Sequence, residues 1–254
     1  MINRIINKIN SIFFTFQPNI FLKKKLEHIG TNYGGYDVYT ENLFNPNIIS
    51  CGLGEDASFD IEMINKFDAK VYSIDPTPRS LNHYNDIKLN FGKKNNSIFN
   101  ESGKLSAFNY NLEKTNKQNF IFINKAIWKE NNKKIKLFFP KNQKHVSLSI
   151  NKNEKFSNNY YSASTIDYKE IIKSFNINKV DILKLDIEGA EIEVLNSVLK
   201  NFEIPNQILV EFDIRRRPNF KSYLKLKNIH KKISFNYDLV NINPKGDFTY
   251  IKKI

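Results

Sequence analysis

The chain has 254 residues, 41% apolar and 13% aromatic, which is ample for one full α/β domain or two small ones and excludes a disordered chain. Its single cysteine, Cys51, excludes a disulfide framework and a cysteine-built zinc site, and no apolar run reaches the roughly 18–20 residues of a membrane span. Lys+Arg 39 against Asp+Glu 26 leaves a formal charge of +13. Arginine occurs only at Arg4, Arg79, Arg215, Arg216 and Arg217, so the excess is scattered lysine. No nucleic-acid partner is expected on that pattern, while a weak preference for acidic glycans or anionic head groups stays open.

Ile2, Ile5, Ile6, Ile9, Phe13 and Phe16 recur at three- and four-residue spacing, the period of an amphipathic helix broken near Pro18. Arg4 and Lys8 lend it some likeness to a signal peptide, but Asn and Lys interrupt the apolar stretch and no small-residue cleavage site follows. Residues 1–30 are read as a helical extension. It either packs on the domain or, through residues 1–20, makes a peripheral membrane contact.

From Asn47 a strand–turn–helix pattern repeats. Residues 48–51 read as a short buried strand ended by Gly52-Leu53-Gly54, and Phe59, Met63, Ile64 and Phe67 line one helical face of residues 55–67. Residues 71–74 form a second strand ending at Asp75, with Pro76 and Pro78 enforcing a loop before a polar helix over 80–89. The Asn- and Lys-rich residues 92–119 read as a long surface loop despite Leu105 and Phe108. Residues 120–128 are a third strand, and Asn131-Asn132 turns into 135–139 as a hairpin extension. A polar loop over 140–160 leads to a helix through Ile166, Ile171, Ile172 and Phe175.

Residues 180–185 are nearly all apolar and so form a central strand, ending at Asp186-Ile187-Glu188-Gly189 before a helix carrying Ile192, Val194, Leu195, Val198 and Leu199. Residues 208–212 are a fifth strand and 223–232 a basic helix. Asn243-Pro244-Lys245-Gly246 joins strands 237–242 and 248–251, and so short a link demands an antiparallel hairpin. The expectation is an α/β, Rossmann-like fold: a mainly parallel seven-stranded sheet with a C-terminal antiparallel hairpin and helices on both faces.

In such a sheet ligands bind beyond the carboxyl ends of the strands, where strand order reverses. Gly52 and Gly54 let the backbone pass close to a nucleotide, yet Glu55 and Asp56 occupy the helix start that would otherwise attract a pyrophosphate. Ala57 also stands where a Gly-x-Gly-x-x-Gly pattern needs its third glycine. Two carboxylates there suit a positively charged ligand such as S-adenosylmethionine; the alternative is a plain turn capped by Asp56. Asp75, 21 residues after Gly54, can accept both ribose hydroxyls of an adenosine cofactor. Asp186 and Glu188 can orient an acceptor hydroxyl, take its proton or help to hold a divalent cation, with capping of the next helix as the alternative. Glu211 has the same standing on the next strand. His145 precedes Ser147-Leu148-Ser149 in a loop able to close over the cleft, whereas His28, His83 and His230 show no ligand spacing. Arg215-Arg216-Arg217 reads as a solvated surface or as a patch facing an acidic acceptor.

Four blocks in order resemble the FkbM-type methyltransferases. They are Gly30-Thr31-Asn32-Tyr33-Gly34-Gly35-Tyr36, the run from Ser50 to Asp60, the run from Val71 to Pro78, and Asp181-Ile182-Leu183-Lys184-Leu185-Asp186-Ile187-Glu188-Gly189-Ala190-Glu191, the most specific. The resemblance runs from about Gly30 to the end and implies a methyltransferase domain over residues 31–254 that uses S-adenosylmethionine. It implies cofactor roles for Gly52, Gly54, Glu55 and Asp75, with Tyr33 and Gly34 near the cleft, and O-methylation of a glycan, a lipopolysaccharide sugar or a secondary metabolite. Leu148 and Asp213 depart from histidines frequent in the family and bear on which acceptor is used. Asp186 is the first choice of base, with Glu188 and His145 as alternates. A divalent metal is an option that no ligand set supports. The expected partner is a small-molecule or glycan acceptor, and the expected location is the cytoplasm or the periphery of a membrane. An RNA or protein methyltransferase, a nicotinamide oxidoreductase and a catalytically inactive binding module are the rival readings.

Overall fold

A computed structural model describes residues 16–18, 25–99, 103–141, 147–152, 155–216 and 219–253. The helical pattern read over residues 1–15 lies outside the described residues. A hairpin of β1 (Leu26–Ile29) and β2 (Tyr36–Tyr39) precedes β3 (Asn47–Cys51), α1 (Ser58–Phe67), β4 (Lys70–Ile74) and α2 (Pro78–Leu89). After a 3-10 turn at Ala107–Asn109 come β5 (Phe120–Ile123), β6 (Ala126–Ile127), β7 (Lys134–Pro140), β8 (Phe156–Ile166) and α3 (Tyr168–Ser174). The remainder is β9 (Ile182–Leu185), α4 (Glu191–Val198), β10 (Gln207–Glu211), a 3-10 turn at Asp213–Arg216, α5 (Phe220–Asn236), β11 (Tyr237–Ile242) and β12 (Asp247–Lys252).

Seven strands form one sheet in the order β11-β12-β10-β9-β3-β4-β5. From β10 to β5 neighbours are parallel, while β12 is antiparallel to both β10 and β11. The sheet is therefore mixed, not mainly parallel as the sequence suggested. The terminal hairpin does form, but its second strand inserts between β11 and β10 and so acquires antiparallel neighbours on both sides. The chain builds outward from β3 to β5, then crosses back to place β9 on the other side of β3. Strand order reverses between β3 and β9.

Successive residues of each strand face opposite sides, and each side has its own core. Ile49, Leu183, Leu185, Ile208 and Val210 pack with residues of α3, α4 and α5. Ile48, Val71, Ile182 and Leu209 pack with Phe59, Ile61, Met63 and Ile64 of α1. Side-chain caps start three helices: Thr77 on α2, Asp167 on α3 and Asn219 on α5. No helix among the described residues is long and apolar enough to cross a membrane.

Two sequence expectations are corrected. Residues 92–119 are not a surface loop throughout: Leu105, Ala107, Tyr110 and Leu112 are buried in the second core, and only Phe108 of the two apolar beads is exposed. Residues 135–139 do not extend the third strand. β7 instead pairs antiparallel with β8, which begins within the supposed polar loop, runs on through Ile166 (read as part of the next helix, which starts only at Tyr168) and joins β6 in a separate three-stranded sheet. β8 escapes recognition because its Ser-Asn-Asn-Tyr-Tyr-Ser stretch is partly or fully exposed and carries no apolar run.

Candidate functional site

The turn after β3 is held in place by its neighbours. Gly52 has φ +90°, and a β-carbon there would lie 1.9 Å from the carbonyl oxygen of Asp186, so only glycine lets the ends of β3 and β9 approach this closely. Gly54, at φ +58°, also takes the left-handed conformation, but a β-carbon on it would meet nothing within 4 Å. Below them, Asp75 Oδ2 accepts the amides of Leu53 and Gly54, both at 3.1 Å. Its Oδ1 accepts the Thr77 amide at 2.8 Å and the Thr77 hydroxyl at 2.7 Å. A carboxylate offers about four lone-pair sites. All four of Asp75's are taken, so it braces the glycine turn against the start of α2, and a ribose contact requires it to exchange one of these bonds.

The acids after the turn do different work. Asp56 Oδ2 accepts the Thr31 hydroxyl at 2.6 Å and Oδ1 accepts the Ser58 amide at 2.9 Å, which ties the β1–β2 turn to the start of α1. The Thr31 hydroxyl in turn accepts the Gly34 amide at 2.9 Å. Asp56 is thus structural, although the N-cap position itself is Ala57. Glu55 faces Arg79 at 3.4 Å. Tyr33, 55% exposed, lies so close to Gly103 that a β-carbon there would be 2.5 Å from its ring, and its carbonyl accepts the Lys245 ammonium at 2.9 Å.

Opposite stands the turn after β9. Glu188, at φ +48°, and Gly189, at φ +104°, both hold left-handed backbone, a strained arrangement for a glutamate. The segment around Ser149 packs over them: its hydroxyl donates to the Glu188 carbonyl at 2.8 Å, and Asn151 fills the space beside Gly189. Of the loop read as able to close over the cleft, Ser147, Leu148 and Ile150 line the cavity. His145 lies outside the described residues. Neither Asp186 nor Glu188 caps α4, whose N-cap is Ala190 without a side-chain bond. Glu191, two residues on, accepts the Gly189 amide at 2.7 Å, and burial pushes its carboxyl up to about 8.

Sequence reasoning passed over Lys184, which sits mid-strand on β9 and is only 5% exposed. Its ammonium donates to the Gly52 carbonyl at 3.0 Å and lies 5.3 Å from the Tyr36 ring centre. It also opposes the rise that burial imposes on the Asp60 carboxyl beneath the site. A charge inside an otherwise apolar central strand was the available signal. The small sheet was missed as well: Ile135 and Leu137 of β7, with Ala126 and Ile127 of β6, supply the apolar wall of the cavity.

The cavity measures about 400 Å³ and lies at the reversal of strand order. It brings together eight of the nine singled-out cofactor and catalytic residues, namely Tyr33, Gly34, Gly52, Gly54, Glu55, Asp75, Asp186 and Glu188, with Glu211 beside them. Its charged lining is Glu55, Asp56, Asp75, Asp186, Glu188 and Glu211 against Arg79, Lys184 and Lys245, six carboxylates to three cations. Three histidines pair elsewhere: His28 with Asp37, His83 with Tyr110 and His230 with Tyr250. Arg215 is not a solvated patch, since it donates to the Gly246 carbonyl and stacks over Phe248. The described residues hold no group of three or more His, Cys, Asp or Glu able to bind a metal ion.

A family model described as the methyltransferase FkbM domain matches residues 28–231. No curated protein and no solved structure matches the chain.

Proposed function

Because the chain belongs to the FkbM methyltransferase family, we propose that it uses S-adenosylmethionine to methylate a hydroxyl of a glycan, a lipopolysaccharide sugar or a secondary metabolite. The observation that carries this reading is the acidic cleft of about 400 Å³ in a chain whose formal charge is +13. Excess carboxylate in a cleft favours a cation and opposes the pyrophosphate of a dinucleotide. When bound, S-adenosylmethionine supplies a methyl group activated by a positively charged sulfur. The residues present fit it: Gly54 leaves open space at the turn, Glu55 and Asp75 stand beside that turn, and Ile135 and Leu137 offer an apolar wall.

The protein's own contribution is alignment and proton handling. Positioning alone is worth effective molarities of about 10⁵–10⁸ M. A neutral sugar hydroxyl is a weak nucleophile, so its proton must leave as the new bond forms. Asp186 is assigned that proton and Glu188 the orientation of the acceptor, with His145 as the alternate base. Gly52, which has no room for a β-carbon beside the Asp186 carbonyl, sets the cofactor turn directly against the base. Residues 31–254 act as the methyltransferase unit in this reading.

Calorimetric titration with S-adenosylmethionine, S-adenosylhomocysteine and NADH tests the proposal. Both adenosyl ligands are expected to bind and NADH is not, and Asp75→Ala is expected to lose the binding because the turn loses its brace. Failure of folded protein to bind either adenosyl ligand would falsify the cofactor assignment and leave a binding module on this fold.

A further inference from the structure

The outer face of α5 does nothing in this reaction, yet it is built like a surface. Its buried side is Leu226, Ile229 and Ile233. At 3.6 residues per turn, Phe220, Leu224 and Phe235 fall on the opposite side, and they are 69%, 41% and 83% exposed. Lys221, Lys225, Lys227, Lys231 and Lys232 are exposed around them, and the helix contains no Asp or Glu. Among the described residues none of these five lysines pairs with a carboxylate. Lys227 is drawn over the Tyr223 ring and Lys232 donates to Asn196, contacts that leave both charges uncompensated. A core helix has one apolar face; this one has a second, flanked by cations.

We propose that this face of α5 docks the protein on an anionic phospholipid surface, with Phe220, Leu224 and Phe235 entering the head-group region and the lysines contacting lipid phosphates. Helices lying in an interface combine protruding aromatic or leucine side chains with basic flanks in this way. Charge complementarity selects the partner. A protein partner for three protruding apolar groups needs no lysine cluster, and Leu224 between the phenylalanines suits acyl chains better than stacked bases; single-stranded RNA, whose bases do stack on phenylalanine, is therefore the competitor in the test. The helix, 17 residues and so about 25 Å long at 1.5 Å per residue, is long enough to present all three side chains to one surface. Phe16 also packs 4.6 Å from His230 of this helix. Because α5 follows β10, its Phe220 end lies at the same end of the sheet as Glu211, where the cleft opens.

Co-sedimentation of the full chain with phosphatidylcholine vesicles, and with vesicles also containing phosphatidylglycerol, tests the inference. Binding is expected only to the anionic vesicles and weakens as salt is raised. Replacing Lys221, Lys225 and Lys231 by Gln weakens partitioning by on the order of a hundredfold, about fivefold per charge. Phe220→Ser, Leu224→Ser and Phe235→Ser together abolish it, while circular dichroism and adenosyl-ligand binding stay unchanged because all three are exposed. Equal binding to neutral vesicles, wild-type binding by both variants, or a preference for single-stranded RNA over anionic vesicles overturns the proposal. None of these outcomes depends on the methyltransferase reading.

Discussion

Asp75 and Asp186 follow the two strands that flank β3, yet they meet different fates. Asp75 is 6% exposed and spends its carboxylate on three backbone amides and a hydroxyl, whereas Asp186 lines the cavity with its carbonyl against Gly52. Asp186→Asn keeps the shape and removes the basicity. Turnover should fall by about 10²–10⁴ while the dissociation constant for S-adenosylhomocysteine hardly moves; a variant with full turnover would rule Asp186 out as the base. Glu191 permits a second test. Its folded carboxyl is raised from 4.5 to about 8, so the folded state holds a proton that the unfolded chain has released, and stability falls as pH rises between those values. Glu191→Gln keeps the acceptor for Gly189 and should flatten that slope, gaining on the order of a few kcal/mol over the native chain by about pH 8. Superimposable melting profiles across this range would contradict it.

At the scale of elements, legibility followed packing. The central strands β3, β4, β9 and β10 were readable because strands covered on both faces need unbroken apolar residues. α1 and α4 were readable because one face of each is buried at helical spacing. Burial of Tyr110, whose hydroxyl accepts the Ala57 amide at 2.9 Å, could not be read, since isolated apolar residues in an Asn-rich stretch carry no period. Caps were legible only in part. Asp56, whose capping of the helix was the alternative reading, ties the β1–β2 turn to the start of α1, while Asp167, not singled out in the sequence, accepts the Glu170 amide at 2.7 Å as a true cap of α3. Asp167→Ala should cost about 1 kcal/mol in urea unfolding without touching the cleft. A loss near zero would mean that the core contacts of α3 alone set its start.

Across the whole molecule the charges are segregated. The chain carries +13, but its cleft is lined by twice as many carboxylates as cations. S-adenosylmethionine bears one more positive charge than S-adenosylhomocysteine, so raising ionic strength should weaken its binding more steeply. Identical salt slopes for the two would remove the acidic cleft as the source of cofactor selection.

Sequence by itself determined the alternation of strands and helices, the antiparallel terminal hairpin, the glycine turn and the acids at the strand ends. These are local: they follow from the spacing of apolar residues and from backbone conformations only some residues adopt. Tertiary structure alone decided the rest. It inserted β12 between β10 and β11, paired β7 with β8 into a wall of the cleft, and set Lys184 under the Gly52 carbonyl. It also filled every acceptor site of Asp75 and left Asp186 facing the cavity. Apart from the Thr77 bonds to Asp75, these join residues far apart in the chain. No periodicity encodes such a contact, because its free energy exists only once both partners have been brought together.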